Sequence, residues 1–125
     1  MKKIVLTSLL IQMLLSCSIL PFLASHENIA GVTIMSIEEI ETKTGETVRE
    51  IRGEVPVPFE TNQEWILALQ TINKQKRVDG LAMVILIFLP DENWETGVPY
   101  VIAKYKNKGL QSLKVDGVSV LLKKP

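Results

Sequence analysis

Three carboxylates crowd round one indole in the run Asp91-Glu92-Asn93-Trp94-Glu95. Two carboxylates beside an aromatic ring can do general acid/base work on a sugar, one protonating the leaving oxygen while the other activates water or attacks. The same oxygens suit a hard cation such as Ca²⁺, although their spacing fits no EF-hand loop. The run directly follows a long apolar stretch, and loops at strand ends carry binding and catalytic groups more often than strand interiors do. A solvated acidic loop, with Trp94 folded back onto the core, explains the same residues without any chemistry. Asp91, Glu92, Trp94 and Glu95 therefore stand as a candidate ligand loop, and no residue is assigned a catalytic role.

The remaining reactive side chains are sparse. His26 is the only histidine, and Cys17 the only cysteine. One histidine cannot build a multi-histidine metal site, and nothing beside His26 would orient its ring for a triad. Beyond Cys17 there is no thiol for a disulfide framework or a cysteine–metal site. Gly31, Gly45, Gly53 and Gly109 are isolated, so no phosphate-cradling loop is present. No metal and no cofactor is expected.

The first 24 residues carry an address. Lys2 and Lys3 precede an apolar run from Ile4 to Ala24, the layout of a bacterial export signal. Inside it, Leu14-Leu15-Ser16-Cys17 resembles the lipobox of bacterial lipoproteins, in which a leucine stands three residues before the cysteine and a small residue just before it. Leu14 and Ser16 match that pattern and Leu15 departs from it. The resemblance implies that Cys17 becomes the mature N-terminus and carries the lipid, with Ser18 implying outer-membrane sorting in a Gram-negative host. Two other fates fit the same stretch. Ordinary cleavage near Ala24 or Ser25 would release a periplasmic or secreted domain. An uncleaved run would serve as an inner-membrane anchor, since about 20 apolar residues span a bilayer and the two lysines would stay cytoplasmic.

Residues 25–125 are then a single small domain of about 100 residues, enough for one core. The formal net charge is zero, but the charges are sorted. From Glu27 to Glu64 nine acids stand against Lys43, Arg49 and Arg52, and from Lys104 to Lys124 six lysines stand against Asp116. Pairing of acidic with basic strands, or simple solvation, would explain this sorting. So would a basic end that meets anionic headgroups or an acidic partner. Lys104, Lys106 and Lys108 have only Tyr105 among them and no nucleic-acid module around them, so nucleic acid is not an expected partner.

The elements that must position these groups are legible in the pattern. Val32–Ile40 and Thr47–Val57, joined by Thr42-Lys43-Thr44-Gly45, read as a β-hairpin ended by Pro56 and Pro58. Thr61 and Glu64 form a capping box ahead of the stripe Trp65, Ile66, Ala68, Leu69 and Ile72, which predicts one helix over about residues 62–77 stopped by Asp79-Gly80. Leu81–Leu89 is apolar at every position, and between Gly80 and Pro90 it reads as a strand buried on both faces. One helix can cover only one of those faces. Strands follow at Val98–Tyr105, Leu110–Val115 and Val118–Leu122, the last two flanking the hairpin turn Asp116-Gly117. The expected fold is α+β: a mostly antiparallel or mixed sheet of about five or six strands in ββαβββ order, with one helix on one face.

This order resembles a family of small bacterial exported proteins of unknown function, on the strength of the cap Thr61–Glu64, the apolar strand ending at Pro90, and Pro99-Tyr100. The resemblance implies a small periplasmic or envelope domain and carries over no active residues. The sequence-based expectation is thus a non-enzymatic binding or structural protein of the cell envelope, tethered to the membrane through its N-terminal lipid or signal segment. A protein partner or a second copy would cover the free face of strand 81–89. A soluble interaction or inhibitor module, and a carbohydrate- or peptidoglycan-active enzyme using the 91–95 loop, are the competing readings.

Overall fold

The computed structural model describes residues 26–122; the stretch expected to be an export signal, with Leu14, Ser16 and Cys17, lies outside them. Seven strands form one sheet in sequence order. They are β1 (Asn28–Ile29), β2 (Val32–Glu41), β3 (Thr47–Glu54), β4 (Ala82–Phe88), β5 (Val101–Lys106), β6 (Gly109–Val115) and β7 (Val118–Ser119), with helix α1 (Asn62–Lys76) between β3 and β4. Every neighbouring pair is antiparallel except β3 and β4, which run parallel. A parallel pair needs a crossover, and α1 supplies it. Among the described residues the fold is therefore α+β with a mixed sheet and one helix. The strand count exceeds the expected five or six, and the order is βββαββββ, because the two-residue β1 adds a strand ahead of β2.

The capping box forms as its residues require. The Thr61 hydroxyl accepts from the Glu64 N–H at 3.1 Å, and Glu64 Oε1 accepts from the Thr61 N–H at 3.0 Å. At the other end the helix runs to Lys76, close to the expected limit, with Arg77 as its C-cap. Arg77 is already extended, its N–H donating to the Asn73 carbonyl at 2.8 Å, and Asp79-Gly80 turns the chain only afterwards.

Helix α1 lays Trp65, Ala68, Leu69 and Ile72 onto one face of the sheet. Register places Ile51 beside Ile85 and Ala103, and Ile87 beside Val101, on that face. These residues make the core, all of them buried. Two features of β2 and β3 let the sheet fit. A bulge between Ile34 and Ser36 shifts the parity of β2, so Ile34 and Ile37 both lie beside core-side residues of β3. This is why the alternation fails along Val32–Ile40. At Gly53 a Cβ would come within 2.6 Å of Val32 Cγ1, so only glycine lets β2 pack there.

The apolar run is not buried on both faces. Met83, Ile85 and Ile87 are buried beneath the helix side, while Ala82, Val84 and Leu86 are half-buried on the opposite side. Three other strands are shorter than expected. The strand after Glu54 does not reach Val57, which is 68% exposed. The strand expected from Val98 begins at Val101, because Pro99 has no N–H to give the ladder. Val118–Leu122 contributes only two ladder residues, with the Val120 N–H reaching the Leu113 carbonyl at 2.8 Å. Asn28–Ile29, beside the exposed His26, adds β1 through a turn at Ala30-Gly31 with φ values of 53° and 89°. No helix among the described residues is long and apolar enough to cross a membrane.

Candidate functional site

The face of the sheet turned away from α1 is the open one. Its middle is β4, with Val84 and Leu86 half-buried and Ile102 of β5 beside Leu86. On one flank stand Glu38 of β2 and Glu50 of β3; on the other stand Lys104 and Lys106 of β5 and Lys114 of β6. Part of the charge sorting in the sequence therefore falls on this surface, Glu38 and Glu50 on one side, with Arg52 among them, and Lys104, Lys106 and Lys114 on the other. Acidic and basic strands do not pair with one another, because the apolar β4 lies between them.

Pairing on this face is uneven. Glu38 lies directly opposite Glu50 in the β2–β3 ladder, and like charges in that position repel. Glu50 receives Arg52 Nε at 3.1 Å. Among the described residues Glu38, Lys104 and Lys114 make no ion pair.

The acidic loop folds over one end of the same face. Arg52 Nη1 donates to the carbonyls of Trp94 at 2.7 Å and Glu95 at 2.9 Å, and its guanidinium carbon lies 5.9 Å from the centre of the Phe88 ring. Phe88 is fully buried yet is not part of the core beneath α1. It is sealed on the far side of the sheet, where Arg52 lies over it. The loop is braced internally as well. Glu92 Oε1 accepts from the Val98 N–H at 3.0 Å, and Asn93 Oδ1 accepts from the Glu95 N–H at 2.8 Å. A Cβ at Gly97 would fall 2.5 Å from Glu92 Oε1 and 2.6 Å from the Asn93 carbonyl, so the loop closes only on glycine.

The candidate residues are thus brought together in sequence but divided in role. Asp91 and Glu95 leave their carboxylates exposed, Glu92 spends its carboxylate on the backbone, and Trp94 is half-buried. Among the described residues no group of three His, Cys, Asp or Glu side chains could hold a metal ion. Sequence reasoning misses Arg52, which organises the whole loop from β3. Its only signal is a cation standing between Glu50 and Glu54 in a strand otherwise acidic on that side.

Two concave features flank this arrangement. An open cleft of about 400 Å³ lies where the loop meets β5 and β6, lined by Val98, Pro99, Tyr100, Ile102, Lys114 and Asp116. A shallower groove of about 280 Å³ lies along the helix, against Ala30, Phe59, Leu67 and Ala68. The first adjoins the open face; the second is on the other side of the molecule.

The sheet edges are poor docking sites by comparison. The outer edge of β2 is bulged and carries Glu38, Glu39 and Glu41, and β1 covers its start. β7 covers the end of β6. Charges, bulges and short covering strands are how edges resist pairing with another chain.

Beneath the helix, the buried Asn73 donates Nδ2 to the Asn107 carbonyl at 3.0 Å, fixing the β5–β6 turn, while its Oδ1 has no partner. The Tyr105 hydroxyl is also buried without a partner, and burial pushes its phenol up to about 12. Both groups belong to the core. No family model matches the chain, and neither a curated protein nor a solved structure does.

Proposed function

We propose that this chain is an exported protein of the bacterial cell envelope, held at the membrane through lipid on Cys17, whose domain binds a protein partner on its open sheet face. The observation that carries the binding half is that face itself. Its centre is apolar, its two flanks are oppositely charged, and one helix covers only the opposite side. Apolar surface left contiguous on a small domain marks an interaction site. The export half rests on Lys2, Lys3, the apolar run and the Leu14–Cys17 motif. A diacylated cysteine with a third, amide-linked chain anchors stably, where one chain would not.

An enzymatic role for the 91–95 loop is the weaker reading. A glycosidase needs two carboxylates facing one bond; Glu92 is engaged with the Val98 N–H, which leaves the exposed Asp91 and Glu95, and no hydrogen bond or ion pair among the described residues orients either of their carboxylates.

Photocross-linking tests the binding half. A photoreactive residue at Val84, in the full chain expressed in a bacterium, is expected to give a covalent adduct with a protein. The same residue at the exposed helix position Gln70 is expected to give none. Adducts at neither position, or at both equally, would reject the open face as the docking surface. Intact mass of chain purified from those membranes tests the tether. A chain starting at Cys17 and heavier by acyl groups, lost in Cys17→Ala, is expected; an unmodified start near Ser25 would make it a soluble secreted domain.

A further inference from the structure

We propose that the partner on the open face is a second copy of this chain, related by a two-fold axis that runs along β4. The inference rests on the open-face reading and adds the occupant and its orientation.

The face is complementary in charge to itself. Across the sheet, ladder register aligns Glu38, Glu50, Val84, Lys104 and Ser112 in one row. In the next row it aligns Ser36, Arg52, Leu86, Ile102 and Lys114. The order of the first row is acid, apolar, base, ending on a hydroxyl. Two identical faces can be stacked about an in-plane two-fold axis in two simple ways. An axis across the strands would lay acid on acid and lysine on lysine. An axis along β4 exchanges left for right and keeps each row at its own level. It lays Val84 on Val84 and Leu86 on Leu86, and sets Glu50 of each copy opposite Lys104 of the other.

The same operation sets Glu38 diagonal to the Lys114 of the other copy. Glu38, Lys104 and Lys114 are groups without an ion pair among the described residues. The repulsion between Glu38 and Glu50 within one sheet is relieved by the basic half of the other. An interface of this kind is isologous: one patch complements itself, and the assembly closes at two. A different partner would have to supply apolar residues between a basic and an acidic flank in matching order, which this surface already does.

The size of the face sets the strength. Five strands about 4.8 Å apart span about 19 Å between the outer two, and association through so narrow a patch is expected to be weak and reversible. Tethering both copies to one membrane would raise their effective concentration.

Charge exchange provides the test. Glu50→Lys and Lys104→Glu are each made in the full chain purified from membranes, and association is followed by sedimentation across micromolar concentrations. Wild-type chain is expected to form dimers reversibly. Each variant alone is expected to stay monomeric, its dimer weakened by at least about tenfold from two unlike pairs turned into like ones. Mixing the two variants is expected to restore a dimer. The base introduced at position 50 of one copy then meets the acid introduced at position 104 of the other, and the unchanged Lys104 and Glu50 still face each other. That recovery also shows both variants to be folded. Wild-type chain that is monomeric throughout, variants that dimerise as well as wild type, or a mixture that stays monomeric would each overturn the proposal. The adduct at Val84 separates the two levels of the account. An adduct of twice the chain mass supports the dimer; an adduct with a different protein overturns the dimer and leaves the open-face reading standing.

Discussion

Arg52 Nη1 donates to the Trp94 carbonyl at 2.7 Å across 42 residues of chain. That bond, with its neighbour to the Glu95 carbonyl and the contact over Phe88, converts an acidic loop into a fixed rim of the open face. Removing it leaves two carbonyls without their donor and uncovers a buried ring. Arg52→Ala is expected to cost about 2 kcal/mol in denaturant unfolding. It should also speed amide exchange at residues 93–97 while leaving α1 protected. Arg52→Lys is expected to recover little, since an ammonium lacks the planar fork that serves two carbonyls and an aromatic face together.

Glu92 Oε1 accepts from the Val98 N–H and so braces the loop. Glu92→Gln keeps an oxygen for the Val98 N–H and is expected to leave exchange in the loop unchanged. Glu92→Ala removes the brace, and exchange at Val98 should accelerate. A loss of order in the glutamine variant would mean that the charge itself matters there.

At Gly53 of β3 the side chain of Val32 in β2 takes the space that a Cβ would need. Gly53→Ala would drive a methyl into Val32 Cγ1 and the Thr33 carbonyl, and overpacking of this kind costs about 1–3 kcal/mol. Gly45→Ala offers the contrast, because open space surrounds it and only its positive φ of 86° is strained. The thermal midpoints of the two variants check the difference.

Much of this architecture is legible in the sequence. The hairpin of β2 and β3, the capped helix, the Asp116-Gly117 turn and the apolar β4 all follow from local pattern and turn chemistry. What escapes is non-local. The β2 bulge hides the face of Ile37, because parity after a bulge depends on pairing with β3. β1 is invisible because Ala30-Gly31 is not a usual hairpin dipeptide. The uniform apolarity of residues 81–89 suggests burial on both faces, yet one face is only half-covered. The loop Asp91–Glu95 stands out by its composition. The residue that holds it lies 42 positions away in another strand, and no spacing rule connects Arg52 to Trp94.

Tyr105 gives the domain an alkaline limit. Its folded phenol, pushed up to about 12 by burial, resists ionising, whereas the unfolded chain's phenol ionises near 10. Between those values the unfolded state has lost its proton and the native state keeps it, so stability is whole below pH 10 and falls as pH rises toward 12. Tyr105→Phe is expected to reduce this fall. Near pH 7 it should change stability by less than about 1 kcal/mol, since the hydroxyl it removes has no partner. Urea titrations of both chains at neutral and alkaline pH measure the effect. An equal alkaline loss in the two would assign it to other groups.

Oxidative footprinting most directly tests whether the open face is the working surface. The full chain is labelled in membranes from an expressing bacterium and again after purification and dilution. Leu86 and Ile102 are expected to be protected in membranes and labelled when dilute, while the half-exposed Leu67 on the helix labels equally in both. Leu86 and Ile102 labelled alike in the two states, or protection falling on Leu67 instead, would contradict the account.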